Sequence, residues 1–208
     1  MTKYELHYIS ALNGGFTMNK RTIAITEQQY QEIIRIARNG INESGVLFKP
    51  NNRLATILIL QANLGLRISD ILNLKLADIV RDGERYRLDI TEQKTKKART
   101  FTVIPAIYDF LIEYAAKNDL GFNTRLFDIS ERAVQKQLKI ICDFLGFENV
   151  STHSFRKFYA TQMYQNNNYD IELVRILLQH SNAAITQKYI GISPQKVEQA
   201  LQNHNMII

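Results

Sequence analysis

Apolar residues recur at helical spacing through most of the chain. Tyr30, Ile33, Ile34 and Ala37 form one stripe, three and four residues apart, as one face of a helix requires. Thr26 followed by Gln29 has the form of a capping box, so a helix is predicted from near Thr26 to the stop at Asn39 and Gly40. Residues 41–50 read as a loop ending at Pro50, and a largely apolar helix is predicted over about 52–64. Gly65 closes it, in the left-handed conformation that glycine adopts at helix ends. A short helix starts at Ser69 and carries Ile71, Leu72 and Leu74. Two strands, 85–90 and 99–104, flank a basic hairpin tip from Thr91 to Ala98. Pro105 suits the first turn of a helix that reaches about Lys117. Residues 122–128 are a loop, and Ser130 begins a helix with Val134, Leu138, Ile141 and Leu145 on one face. Further helices are predicted at about 153–165, 170–179 and 182–190, and an amphipathic one after Pro194, with Val197, Ala200 and Leu201 inward. The class is therefore mainly α with a small antiparallel β-sheet (α+β). Residues 1–24 read as a flexible N-terminal extension, with a turn at Asn13-Gly14-Gly15 and a second potential start at Met18. Residues 25–192 read as one domain, and residues 193–208 as a tail helix.

Composition narrows this picture. The chain has 208 residues, 45% of them apolar, enough for one core. Lys and Arg number 26 against 20 Asp and Glu, a net charge of +6. A basic surplus fits a polyanionic partner, because each cation near a phosphate releases a condensed counterion. It also fits a soluble basic protein with a solvated surface. Cys142 is the lone cysteine, which excludes an intramolecular disulfide framework and a Cys-based zinc cluster. It lies among Ile140, Ile141, Phe144 and Leu145, as a core residue would. A single cysteine suits the reducing cytoplasm, where the protein is expected. The longest apolar run, Ala55 to Leu60, is too short to span a bilayer, and no signal-peptide pattern opens the chain.

Candidate chemistry sits at the predicted element boundaries. Arg67 lies in Gly65-Leu66-Arg67-Ile68-Ser69-Asp70, at the joint between two helices. Its planar fork suits a phosphate; the structural alternative is a pair with Asp70 or Glu43. Lys94 begins the hairpin tip, where it can reach a leaving oxygen, and Lys96 and Lys97 compete for that role. A basic tip is also often no more than solvated charge. His153-Ser154-Phe155-Arg156 places an imidazole and a guanidinium three apart on one helix face, or else a capping His and a surface Arg. His180 ends an apolar helix, and Tyr189 follows nine positions later. A tyrosine hydroxyl, with a free pKa of about 10, needs nearby cations and a base to attack at neutral pH. Tyr159, Tyr164 and Tyr169 are rivals for the role, and packing is the ordinary reading of all four.

The ordered set Arg67, Lys94, His153-x-x-Arg156, His180 and Tyr189 resembles the tyrosine recombinase, or phage integrase, family over about residues 26–193. The pieces that carry the resemblance are GLRISDIL, KTKKARTF, HSFRKFYAT and LLQHSNAAITQKYI. The resemblance implies the catalytic-domain fold of that family. It implies that Arg67 and Arg156 bind the scissile phosphate of double-stranded DNA and that Lys94 protonates the leaving 5′-oxygen. His153 would assist proton transfer, His180 would bond a non-bridging oxygen, and Tyr189 would form the 3′-phosphotyrosyl link. Lys96, Lys97, Arg99 and Lys157 would contact the DNA. The chemistry would use no cofactor, metal or ATP. The protein would act as a homo-tetramer on DNA, its tail helix docking on a neighbouring protomer. Most relatives carry a separate N-terminal DNA-clamping domain, whereas about 25 residues precede the first helix here. A minimal recombinase and the catalytic portion of a longer integrase both fit. The rivals are a type IB topoisomerase, which shares the chemistry without exchanging partners, and a non-cutting DNA-binding regulator on the same fold. A metal nuclease lacks its acidic cluster in this sequence.

Overall fold

The order of elements follows the predicted punctuation closely. The computed structural model describes residues 22–43 and 45–190, so residues 1–21 of the N-terminal extension and the tail helix after Pro194 lie outside the described residues. Helix α1, Glu27–Asn39, begins with both arms of the Thr26–Gln29 capping box in place and buries Ile33, Ile34, Ile36 and Ala37. A short hairpin follows, β1 Ile41–Glu43 paired with β2 Val46–Phe48. It replaces the predicted loop: Ile41 and Phe48 are partners across it and both are buried, which anchors an otherwise polar turn. Helix α2, Asn52–Leu64, is capped by the Asn51 side chain and ends at Gly65 in the left-handed conformation, φ 60°.

Helix α3 spans Ile68–Asn73. Arg67, and not Ser69, occupies its cap position, with an extended backbone and no side-chain cap. The side chain of Arg67 is thereby left for other work. After a 3-10 turn at Leu76–Asp78 comes a three-stranded antiparallel sheet, β3 Ile79–Asp82, β4 Arg85–Thr91 and β5 Ala98–Val103, in that order. The first of these strands is an addition to the two predicted. It has one buried residue, Ile79, too little apolar periodicity to announce itself. Helices α4 Pro105–Lys117, α5 Glu131–Phe144, α6 Thr152–Asn166, α7 Ile171–Leu178 and α8 Ala183–Ile190 complete the described residues.

Among the described residues two apolar clusters form the interior. The larger joins α1, α2, α3, α4, α5, the sheet and the first half of α6, and includes Cys142. The smaller consists of Tyr159, Ala160, Val174, Leu178 and Ile190, with Tyr189 packed against it. Helix α6 belongs to both clusters, packing on α2 along one side and on α7 and α8 along the other. Residues near the start of α6 therefore face the seam between the clusters, and the ends of α2 and α7 meet them there. Among the described residues no helix is long and apolar enough to cross a membrane.

Candidate active site

Arg156 is the centre of the seam. It is 1% exposed although it carries a full charge. Its Nη1 donates to the carbonyl of Gly65 at 2.5 Å and its Nη2 to the carbonyl of Leu178 at 2.9 Å. Both acceptors are carbonyls at helix C-terminal ends, where the backbone dipole favours a cation. Gly65 is required there. Its φ is positive, and any Cβ would collide with the Tyr159 ring. The Nε of Arg156 is buried and has no acceptor among the described residues. Burial, followed by the repulsion of Arg99 and Arg67, lowers its pKa to about 10, while Tyr189 and Glu92 oppose that fall.

Arg67 reaches the same place from the α2–α3 joint. Its partner is neither Asp70 nor Glu43. Nη1 meets Glu92 Oε2 at 2.5 Å. Glu92 is fully buried at the root of the hairpin. It accepts on one oxygen from Arg67 and from the Thr95 hydroxyl at 2.7 Å, and on the other from Arg99 Nη1 at 3.0 Å. Burial alone would raise its pKa. The Thr95 hydroxyl and the Arg99 and Arg67 guanidinium groups outweigh that and hold the carboxyl below its usual range.

Arg99 departs from the expectation of a DNA contact. It is 2% exposed, gripped by Glu92 and by the Leu177 carbonyl at 2.6 Å, so it supports the site from beneath. Lys157 is also engaged internally. Its Nζ donates to the Thr22 carbonyl at 2.5 Å and lies 5.7 Å from the centroid of the Tyr189 ring. Lys94, Lys96 and Lys97 are exposed on the tip. The tip is closed by Lys96 N–H to the Glu92 carbonyl and Glu92 N–H to the Lys97 carbonyl, with Lys96 at φ 57°. Asp70, buried on α3, accepts the Gln93 N–H at 2.7 Å and pins the residue next to Lys94.

The histidines bracket the cations. His153, exposed in the first turn of α6, is held below its usual pKa by desolvation and then by Arg156, with Lys94 and Lys157 adding to the effect and Glu131 opposing it. His180 is buried. Its Nδ1 sits 3.1 Å from the Thr186 hydroxyl, and burial with Arg156, Arg67 and Arg99 pushes its pKa down to about 4. Its ring meets Tyr189 edge to face at 4.7 Å between centroids. The rival tyrosines are placed otherwise. Tyr159 is buried against Gly65, while Tyr164 and Tyr169 pack on each other at 5.3 Å.

All six sequence-predicted residues thus share one electrostatic neighbourhood. It holds the guanidinium groups of Arg67, Arg99 and Arg156 around the carboxylate of Glu92, with Lys94 and Lys157 alongside. Both histidines are held toward their neutral forms by desolvation first and by the same positive field second. Surplus positive charge with little water around it is a site for an anion. Glu92 and the inward role of Arg99 were missed from the sequence, although a signal existed. Glu92 is in phase with Leu88 and Ile90 along one face of β4, and Arg99 with Phe101 and Val103 along β5.

A mainly helical domain that gathers arginines, histidines and one tyrosine around a positively charged, partly buried seam is suited to phosphoryl chemistry. The chain belongs to the phage integrase family, whose model matches residues 24–196. It is 34% identical over 153 residues to the probable integrase/recombinase YoeC of Bacillus subtilis, covering 70% of this chain and 81% of that protein. It is 30% identical over 158 residues to the tyrosine recombinase XerC of Caldanaerobacter subterraneus, covering 71% of this chain but 44% of that one. Among solved structures it resembles the catalytic domain of bacteriophage HP1 integrase, with TM-score 0.59, 20% identity, and coverage of 89% of this chain and 97% of that one. It also resembles the XerH site-specific recombinase bound to its difH substrate, with TM-score 0.63 and 22% identity. There it covers 91% of this chain and 56% of the other. The fold is that of tyrosine recombinase catalytic domains.

Proposed function

We propose that this chain cuts and rejoins double-stranded DNA at a specific site through a covalent bond between Tyr189 and a 3′-phosphate. The observation that carries the reading is the placement of Tyr189. Its ring lies against His180, and its hydroxyl belongs to the charge field of Arg156. In the cleavage step Tyr189 Oη forms a bond to phosphorus and the bond from phosphorus to the 5′-oxygen breaks. The hydroxyl proton passes toward the neutral imidazole of His153, and the Lys94 ammonium gives a proton to the departing 5′-oxygen. Rejoining runs the same step in reverse with a 5′-hydroxyl from the same or another duplex, so the bond's free energy is conserved. Arg67 uses the guanidinium nitrogens not committed to Glu92 on the non-bridging oxygens. Arg156 adds its buried charge and its unsatisfied Nε–H, and the neutral His180 a further hydrogen bond. Charge developing on a pentacoordinate phosphorus is stabilised by donors fixed before the reaction begins.

Residues 25–192 are the catalytic unit in this reading. Lys96 and Lys97 contact the DNA backbone, the tail after Pro194 docks on a neighbouring protomer, and four protomers assemble on DNA. The protein acts in the cytoplasm. The relatives and structural neighbours are recombinases and integrases, in several cases bound to DNA, and this supports the reaction class. The test is covalent capture. The protein is incubated with a library of nicked duplexes of randomised sequence and resolved under denaturing conditions. Wild type should retain labelled DNA, and Tyr189→Phe should retain none. An adduct that persists in Tyr189→Phe would refute the assignment. A second, intact duplex then separates strand transfer from simple relaxation.

A further inference from the structure

The hairpin root holds machinery that the cleavage step does not itself use. Glu92 is a carboxylate without surface exposure, shared between Arg67, Arg99 and Thr95. Arg99 spans from Glu92 to the Leu177 carbonyl, and the Gln179 amide reaches the Ala98 carbonyl at 3.1 Å. One ladder, buried at Glu92 and Arg99, thus ties the hairpin that carries Lys94 to the helix end that precedes His180. Its acidic rung also grips the α2–α3 joint through Arg67. An ion pair withdrawn from water contributes little net stability relative to apolar residues of the same shape. Its geometric effect is larger, because a bonded carboxylate fixes the plane of a guanidinium.

We propose that Glu92 is a positioning residue that orients Arg67 for the scissile phosphate, and that Arg99 holds Glu92 in place for that purpose. Resting on the strand-cleavage reading above, this adds a residue whose carboxylate touches no DNA. With Nη1 of Arg67 committed to Glu92, the remaining edge of the guanidinium has one orientation. Without Glu92, Arg67 swings among rotamers, and misplacement of about 1 Å costs about 10²-fold in rate.

The experiment uses duplexes recovered by covalent capture, rebuilt with either oxygen or sulfur at the bridging 5′ position. A sulfur leaving group departs without a proton, so the sulfur substrate bypasses Lys94 and still needs the arginines. Glu92→Gln is expected to form adduct about 10²-fold more slowly on both substrates, with DNA affinity within about threefold of wild type, since one phosphate contact among many is altered. Lys94→Ala serves as the contrast and is expected to recover on sulfur. Glu92→Gln leaves Arg99 buried without its charge partner, so Glu92→Gln with Arg99→Met is made in parallel. This pair should melt close to wild type and remain as slow as the single variant. Three outcomes overturn the proposal: a double variant that cleaves at the wild-type rate, a single variant that cleaves at that rate, or recovery of Glu92→Gln on sulfur, which would assign Glu92 to Lys94. A wild-type protein that forms no adduct on either substrate refutes the strand-cleavage reading and this one with it.

Discussion

Gly65→Ala tests how the scaffold holds its buried guanidinium. The residue caps α2 at φ 60°, where an alanine costs about 1–2 kcal/mol in backbone strain. The new Cβ would also lie within van der Waals contact of the Tyr159 ring, with Cγ at 2.9 Å. That ring is 6% exposed and cannot retreat into solvent. Overpacking of this kind costs about 1–3 kcal/mol, so the substitution should lower stability by about 2–5 kcal/mol in total. This is a large part of the roughly 5–15 kcal/mol that holds a domain together. The measurement is urea unfolding of four proteins: wild type, Gly65→Ala, Tyr159→Ala and the pair. Removing the ring removes the collision and leaves the strain. In the Tyr159→Ala background the cost of Gly65→Ala should therefore fall to about 1–2 kcal/mol. The same cost in both backgrounds would refute the steric argument. A cost under about 0.5 kcal/mol in wild type, within the range of ordinary surface changes, would refute the assigned backbone conformation as well. Because the Gly65 carbonyl receives Arg156 Nη1, DNA cleavage should slow by about 10²-fold even where the variant is folded.

The histidines and the hairpin yield further expectations. His180 titrates near 4 in the folded protein against about 6.5 unfolded, so the unfolded chain takes up the proton first as pH falls. The associated stability is present above about 6.5 and is lost as pH drops toward 4, at a cost of about 2 kcal/mol between pH 7 and pH 5. His180→Gln should flatten that part of the pH dependence in urea titrations, and an unchanged slope would remove His180 as its source. Arg99→Ala should destabilise the fold by about 1–3 kcal/mol, since one oxygen of the buried Glu92 carboxylate loses its donor while Arg67 and Thr95 keep the other. Lys96→Ala and Lys97→Ala should leave stability alone, and each should reduce the salt dependence of DNA binding by about one unit of slope. The reverse pattern, a stable Arg99→Ala with a shallower salt slope, would restore Arg99 to the DNA surface.

Local signals explain why so much was legible in advance. The Thr26–Gln29 capping box, Gly65 after an apolar helix and Pro105 at a helix start each fix a boundary by chemistry within three or four residues, and all three stand where they were expected. The short strands were missed for the converse reason. Ile41 and Phe48 stabilise their hairpin through pairing and burial together, and neither is visible in a window of three residues. Arg99 reads as a surface cation by its charge and as an inward residue by its phase in the strand. In β5, positions 99, 101 and 103 alternate inward and 98, 100 and 102 outward, so the period-two rule points Arg99 at the core. On β4 the same rule continues from Leu88 through Ile90 to Glu92. Two opposite charges at the end of paired apolar faces, in register Ile90 with Arg99, predict a buried ion pair at a hairpin root. The cations proposed to bind phosphate are not separable from their supports by residue type, since both are arginines. The separation follows from where each fork is committed: Arg99 to a carboxylate and a carbonyl, Arg156 to two carbonyls with its Nε–H unmatched, and Arg67 to a single carboxylate oxygen. Donors left unmatched in a buried, positively charged pocket are the ones a phosphate can satisfy.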